Sequence, residues 1–195
     1  INVIYANMSK SREFLQFVGR GDNDYVTFNQ IYAYNKKTQK LNCINSFNSN
    51  GSYQNEIVAA DKNYVTISNT DQPAEVGWIS WNIPYKYSKG KLVASTTSTT
   101  TVKSLIANNR KDKYSKYFAK NQFVTAKKLT FYNGSKVAYT VPKGKVVTLT
   151  KLSLSKNVIY LQFKYGKKTG WAHVNGAKYD FTKPWFQGVN ARLAG

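Results

Sequence analysis

The sequence predicts an all-β protein of two domains, and three observations carry the prediction. Val, Ile, Tyr and Phe are concentrated in short runs, and Gly, Asn, Pro and Ser separate these runs. The steps Asn133-Gly134 and Asn175-Gly176 offer the positive φ angles that tight hairpin turns require. The run VIYLQFKY at 158–165 alternates apolar and polar residues, as a strand with one buried face does.

The N-terminal half is predicted to be a β-rich domain over residues 1–93, with no function indicated by its sequence. Its predicted strands are residues 2–6, 14–18, 25–34, 41–47, 56–60 and 64–68. Pro84 argues against a central strand that continues through residues 77–87, because proline cannot donate a ladder hydrogen bond. Cys43 is the only cysteine, so it is expected to be a buried thiol on a strand, with no internal disulfide.

Residues 94–119 are predicted to connect the two domains. The stretch ASTTSTTT at 94–101 has no large apolar residue, which indicates a linker or an extended edge. Val102, Leu105 and Ile106 follow at helical spacing, so one short connecting helix is expected there.

Residues 120–195 are predicted to form a small β-barrel followed by a tail. Its predicted strands lie at residues 123–132, 136–141, 145–154, 158–165, 171–174 and 177–179. In the tail, Trp185 and Phe186 are expected to pack on the barrel. Five or six short strands within about sixty residues suit a barrel of this size.

Charge distinguishes the two halves of the chain. The protein has 29 basic and nine acidic residues, a net charge of +20, yet residues 1–90 contribute only nine basic and seven acidic residues. Residues 91–195 contribute twenty basic and two acidic residues. Lysine supplies 25 of the 29 cations, and its compact ammonium suits repeated phosphates or carboxylates better than planar bidentate recognition. The C-terminal half is therefore predicted to bind a long anionic polymer.

Several short elements within residues 123–180 resemble a known group of modules. In order they are LTFYNGSKV, VPKGKVV, IYLQF and GWAHV. Together they resemble the bacterial SH3-like and GW-type cell-wall-binding modules, and the wall-anchoring repeats of lactobacillar surface-layer and surface-layer-associated proteins. The resemblance implies an SH3-like barrel that attaches an extracellular protein noncovalently to the wall of a Gram-positive bacterium, through teichoic acid, wall polysaccharide or peptidoglycan.

Trp171 and the lysines near it are the candidate ligand-binding residues. An aromatic ring can contact the apolar face of a sugar or ribitol while an ammonium group pairs with a phosphate. Eleven lysines and no acidic residue lie between Phe123 and Tyr179, which is more cationic charge than solubility requires. The predicted ligand-binding residues are Lys143, Lys145, Tyr160, Lys164, Tyr165, Lys167, Lys168 and Trp171. Trp171 has an alternative role as core support on the closing strand.

Catalysis is not expected. His173 is the only histidine, and the sequence has no nucleophile or metal-ligand motif to accompany it. It is therefore assigned as a strand residue, and no catalytic residue, metal or cofactor is expected. No apolar run reaches the ~18 residues of a membrane-spanning helix. The chain lacks an initiator Met and a leader at Ile1, which predicts that it begins inside a longer protein.

These observations favour a non-enzymatic, wall-attached surface protein whose basic module binds teichoic acid or another anionic wall polymer. A surface-layer protein or host matrix is a further candidate partner. The alternative is a host-facing adhesin that binds glycosaminoglycan or a matrix protein. Basic barrels with exposed aromatic residues also bind single-stranded nucleic acid, but a lysine-dominated surface argues against that class.

Overall fold

The computed structural model describes residues 1–10, 12–22, 26–47, 55–106, 113–156, 158–174 and 176–189. These residues form antiparallel sheets, one very short α-helix and a 3₁₀ helix at Gly176–Lys178, which replaces the strand predicted at 177–179. The predicted all-β class is confirmed. The chain makes up two compact units: Ile1–Thr70 with Asn82–Thr97, and Asp71–Trp81 with Ser98–Gly195.

A four-stranded meander forms one sheet of the first unit. Its strands, in spatial and chain order, are β1 (Asn2–Ser9), β2 (Arg12–Arg20), β3 (Val26–Asn35) and β4 (Lys40–Ser46). Every neighbouring pair is antiparallel. Alternate residues of these strands point to opposite faces, and one face supplies buried side chains such as Phe14 and Ile31.

Four further strands lie wholly or mostly in the first unit. They are β5 (Glu56–Ala60), β6 (Val65–Asp71), β7 (Ile79–Ser88) and β8 (Lys91–Ala94). β5 pairs with β6, and the end of β7 pairs with β8. The core of the unit collects Ile57, Ile67 and Leu92 against Phe14 and Ile31.

A seven-stranded, curled half-barrel sheet dominates the second unit. Its strands are β9 (Ser98–Thr99), β11 (Gln122–Val124), β12 (Leu129–Asn133), β13 (Lys136–Val141), β14 (Val146–Ser155), β15 (Val158–Tyr165) and β16 (Lys168–His173). The order is β11-β14-β15-β16-β12-β13, with β9 paired to β14. β10 (Lys103–Ser104) pairs with Ile79 and Ser80 at the start of β7.

The tail packs into the core of the second unit, as predicted. Phe186 is fully buried, with its ring centroid 4.9 Å from that of Phe123 and 5.3 Å from that of Phe163. The backbone carbonyl of Trp185 accepts a hydrogen bond of 2.8 Å from the Ala126 N–H. The predicted turn residue Asn175 and the tail residues 190–195 lie outside the described residues.

The one short helix predicted within residues 94–119 is present, but it lies later in the chain than the spacing of Val102, Leu105 and Ile106 indicates. Lys103–Ser104 is the strand β10, whereas the helix α1 is Ser115–Phe118. Val102 and Ile106 are buried, and the described residues 101–106 include the strand β10 and no helix. Their spacing therefore reflects two core contacts from an extended segment.

Two N-terminal predictions also need correction. β7 runs through Pro84, whose carbonyl still accepts hydrogen bonds from the Ser95 N–H (2.9 Å) and hydroxyl (2.7 Å). Proline removes only the donor, so the strand continues. Cys43 is exposed, because the alternation of β4 turns Ile44 toward the core and Cys43 away from it.

The limits of the two units differ from the predicted limits at residues 93 and 120. Residues 71–81 belong with the C-terminal unit, although the first half of the chain contains them. Val76 and Ile79 of this segment are fully buried. The predicted connector contributes β9 and β10 to the second unit, so 94–101 contains an extended edge.

Candidate functional site: an aromatic groove on the basic sheet

One face of the second unit's sheet aligns aromatic and polar side chains across four strands. In the antiparallel register, Tyr132 of β12 pairs with Trp171 of β16, and Trp171 pairs with Gln162 of β15. Gln162 in turn pairs with Lys151 of β14. Because directly paired residues point to the same side of a sheet, these four side chains form one continuous row.

A second row lies beside the first on the same face. Tyr160 of β15 pairs with His173 of β16 on one side and with Ser153 of β14 on the other. The Tyr160 and His173 rings stack, with centroids 5.3 Å apart and an interplanar angle of 24°. This contact fixes the orientation of both rings at the surface.

The two rows enclose a groove of about 280 Å³. We call it the aromatic groove, and its lining residues are Tyr132, Gly134, Ser153, Tyr160, Trp171 and His173. Tyr132 is 43% exposed, and Trp171 and Tyr160 are half-buried, so each ring keeps one accessible surface. Aromatic surfaces combined with hydroxyl and imidazole groups are suited to a ligand with apolar and polar faces, such as a sugar or polyol.

The opposite side of the sheet holds the groove rigid. Gly170, next to Trp171, lies so close to β12 and β13 that an added Cβ would be 2.9 Å from the Phe131 Cβ and 3.0 Å from the Tyr139 Cε1. Phe131 and Phe163 pack beneath it, with ring centroids 5.4 Å apart. Gly170 therefore permits an approach that a side chain would block, and this places Trp171 on a tightly packed strand.

Tyr139 links this core to the predicted residue Tyr165. Its ring stacks on Phe131 at 5.0 Å and on Tyr165 at 6.4 Å. Its hydroxyl donates a hydrogen bond of 2.6 Å to the Phe163 carbonyl. Burial raises the pKa of Tyr139 to about 12. Tyr165 is thus engaged with core-side aromatic residues, away from the groove.

The structure brings together only part of the predicted ligand-binding set. Tyr160 and Trp171 line the aromatic groove, and Lys164 points to the same face of β15 as Tyr160. Lys168 pairs with Tyr165, so it points to the opposite face of the sheet from Trp171.

The remaining predicted lysines lie in turns. Lys143 and Lys145 are exposed in the turn between β13 and β14, and Lys167 is exposed in the turn between β15 and β16. They supply positive charge near the ends of the strands, and none of them lines the groove.

Sequence reasoning missed Tyr132, Ser153 and His173 as groove residues, and it missed Lys151 and Gln162 in the adjoining row. The sequence shows which residues of each strand alternate toward the outer face, but it does not show the register in which the strands pair. Gln162 is also oriented by β14, because the Thr150 hydroxyl donates to its Oε1 at 3.0 Å. That contact depends on a bulge between Leu149 and Lys151, which alternation alone does not reveal.

A second groove of about 400 Å³ also has His173 in its lining, together with Asp71 and Val158. Burial raises the pKa of Asp71, and the hydrogen bond from the Gln72 N–H opposes that shift. Within the described part of the chain, no group of three or more His, Cys, Asp or Glu side chains could hold a metal ion. The described side chains of the aromatic groove are suited to adsorbing a ligand through ring contacts and hydrogen bonds.

Comparison with known proteins gives no relative for this chain: no protein-family model matches it, and neither a curated protein nor a solved structure does so. Among the described residues, no helix is long and apolar enough to cross a membrane.

Proposed function

We propose that this chain is a non-enzymatic extracellular protein, held noncovalently on the cell wall of a Gram-positive bacterium. In this proposal the second unit binds an anionic wall polymer, such as teichoic acid, through the aromatic groove and the lysines around it. The first unit presents whatever further contact the surface protein makes. The resemblance of residues 123–180 to wall-binding modules motivates the choice of ligand.

The aromatic groove is the observation that carries the proposal. A polymer of alternating polyol and phosphate groups needs ring surfaces for the polyol and ammonium groups for the phosphate. Tyr132 and Trp171 offer the rings, and Lys151 and Lys164 lie on the same face of the sheet. A repeating ligand could therefore contact rings and cations alternately along one surface.

The charge of the second unit supports a polymeric ligand rather than a small one. Its residues include nineteen basic and four acidic side chains, a net charge of +15, whereas the first unit has a net charge of +5. An exposed ion pair contributes only about 0.2–1 kcal/mol. Useful affinity must therefore come from many simultaneous contacts, which a polymer provides, and it must weaken as salt screens them.

Co-sedimentation of the full chain with purified Gram-positive walls tests the proposal. Walls would be used before and after extraction of teichoic acid, in 50, 150 and 500 mM NaCl. We expect binding to intact walls at low salt and a loss of most binding after extraction and at 500 mM NaCl. Equal binding to extracted walls would contradict the teichoic-acid assignment, and binding to heparin but not to walls would favour the adhesin alternative.

A further inference from the structure

A second cationic groove lies in the first unit, where the sequence indicated no binding function. In the meander β1-β2-β3-β4, the turns β1–β2 and β3–β4 lie at the same end of the sheet. Lys10 lies in the first of these turns and Arg12 begins the strand after it, and Lys36 and Lys37 lie in the second turn. Together they line a groove of about 360 Å³, which we call the hairpin groove.

Local contacts build the cationic side of this groove. The Asn35 Oδ1 accepts hydrogen bonds from the Lys37 N–H at 3.0 Å and the Thr38 N–H at 3.2 Å, which fixes the β3–β4 turn. The Lys36 ammonium pairs with the Glu13 carboxylate at 2.9 Å, and this hydrogen bond lowers the pKa of Glu13. Among the described residues that line the groove, Glu13 is the single acidic one.

Three cations at the hairpin groove are left for an external anion. Within the described part of the chain, Lys10, Arg12 and Lys37 form no ion pair, and all three are exposed. Cations from two separate turns therefore converge on one opening with their charge uncompensated. An anion that enters would be attracted by all three at once.

The side chains at the base of the hairpin groove can contact the organic part of a ligand as well as its anionic group. Phe14 and Ala33 form the apolar base, and Tyr34, Tyr87 and Asn42 also line the groove. The Tyr87 ring meets the Phe14 ring edge-on, with centroids 5.3 Å apart, so its position is set by the core. A volume of this size matches a small ligand, and tyrosine and amide groups can contact a polyhydroxyl body.

We propose that the hairpin groove is an anion-binding site for an oxyanion carried on a polyhydroxyl chain, such as a polyol phosphate or a sugar carboxylate. Arg12, Lys10 and Lys37 bind the oxyanion, and Tyr34, Tyr87 and Asn42 contact the polyol. The site goes beyond the proposed function, which assigns binding to the second unit alone. A polymer that reached both units would gain avidity without any new contact at the aromatic groove.

Amide chemical shifts of the isotope-labelled full chain test this site directly. The probes are glycerol 3-phosphate, glucuronate and, as the neutral control, glycerol. We expect both anions, or the phosphate alone, to shift the amides of Arg12, Tyr34, Lys36 and Asn42 saturably, with no shift from glycerol. Binding by both anions assigns the site to oxyanions in general, and binding by glycerol 3-phosphate alone assigns it to phosphate. No saturable shift at these amides, or equal shifts from glycerol, would overturn the proposal.

Two double variants that remove the same charge distinguish binding at the hairpin groove from nonspecific attraction by the positive charge of the protein. Arg12→Gln with Lys37→Gln should weaken binding about five- to tenfold, because two charge-assisted contacts are lost. Lys62→Gln with Lys91→Gln removes the same charge from exposed positions of the same unit outside the groove and should change binding less than about twofold. Equal weakening by both pairs would show nonspecific attraction and reject the site. The chemical-shift measurement on the wild type does not depend on whether either variant folds. An absence of shifts at these amides would reject the hairpin groove alone, whereas an absence of wall binding would reject the proposed function.

Discussion

At the scale of single residues, Tyr139 gives the clearest pH dependence. Burial raises its pKa to about 12 in the folded protein, from 10.0 for an unperturbed tyrosine. The folded state therefore keeps this proton between pH 10 and 12 while the unfolded state loses it, so its contribution is complete below pH 10 and falls as the pH rises through 12. The folded protein keeps the hydrogen bond from the Tyr139 hydroxyl to the Phe163 carbonyl until the tyrosine itself ionises, at a pH of about 12.

Tyr139→Phe tests this dependence. At pH 8 the variant should be less stable than the wild type by about 0.5–1.5 kcal/mol, because it lacks that hydrogen bond. The difference should shrink as the pH rises from 10 to 12, measured by urea unfolding at each pH. Tyr132→Phe, at an exposed position, is the control. A difference between Tyr139→Phe and wild type that is constant up to pH 12 would refute the pH account.

At the scale of secondary-structure elements, Asn121 joins the segment before α1 to the curled sheet. Its side-chain Nδ2 donates to the Val102 carbonyl at 3.0 Å, and its Oδ1 accepts from the Ser104 N–H at 2.8 Å. Its backbone carbonyl accepts from the Leu149 N–H of β14 at 2.8 Å. Asn121 also has a positive φ of 55°, which asparagine tolerates better than most residues.

Two substitutions at Asn121 separate its two roles. Asn121→Gly removes the side-chain hydrogen bonds but accepts the positive φ, and we expect a loss of about 1–3 kcal/mol in the free energy of unfolding. Asn121→Ala loses the same bonds and adds backbone strain, so it should cost roughly 1 kcal/mol more. Thermal or urea unfolding measures both. If the two variants were both as stable as wild type, the side-chain link between these elements would be unimportant.

The strands were predictable from the sequence because each carries its own alternation of apolar and polar residues. The outward orientation of Tyr160 and Lys164 and the inward orientation of Phe163 follow from that pattern alone. The neighbours across the sheet do not follow from it, since Tyr132 and Trp171 meet only through the register of β12 and β16. For that reason two of the six lining residues of the aromatic groove, Tyr160 and Trp171, were predicted and the other four were missed.

At the scale of the whole molecule, the discontinuous second unit is the feature that sequence order concealed. Gly77 lies in its inserted segment 71–81, with a φ of +70°, and an added Cβ would be 2.9 Å from the Ile106 Cγ2. Gly144, in the same unit, has a φ of +79° but open space around it. Gly77 and Ile106 pack together although they are far apart in the chain. Composition does not reveal such a contact, so it indicated a domain boundary near residue 93 instead.

The two glycines make a matched pair of variants. Gly144→Ala should lose about 1–2 kcal/mol of stability from its backbone conformation alone. Gly77→Ala should lose a further ~1–3 kcal/mol, because the added methyl overpacks the core. Hydrogen exchange should show the Gly77→Ala effect at residues 102–106 and at β10, and not in β1–β4. Equal losses for both variants would contradict the packing of 71–81 in the second unit.

The central claim is that the aromatic groove binds the anionic polymer, and the affinity of the full chain for purified lipoteichoic acid tests it most directly. Calorimetry would compare wild type with Trp171→Ala and with Phe28→Ala, which changes an exposed aromatic residue of the first unit outside the hairpin groove. Tyr5 is not a suitable control, because it hydrogen-bonds Glu13 of that groove. We expect Trp171→Ala to weaken binding about fivefold or more, as the loss of a ring contact of ~1–3 kcal/mol implies, and Phe28→Ala to leave it unchanged. Unchanged affinity in a folded Trp171→Ala protein would contradict the claim.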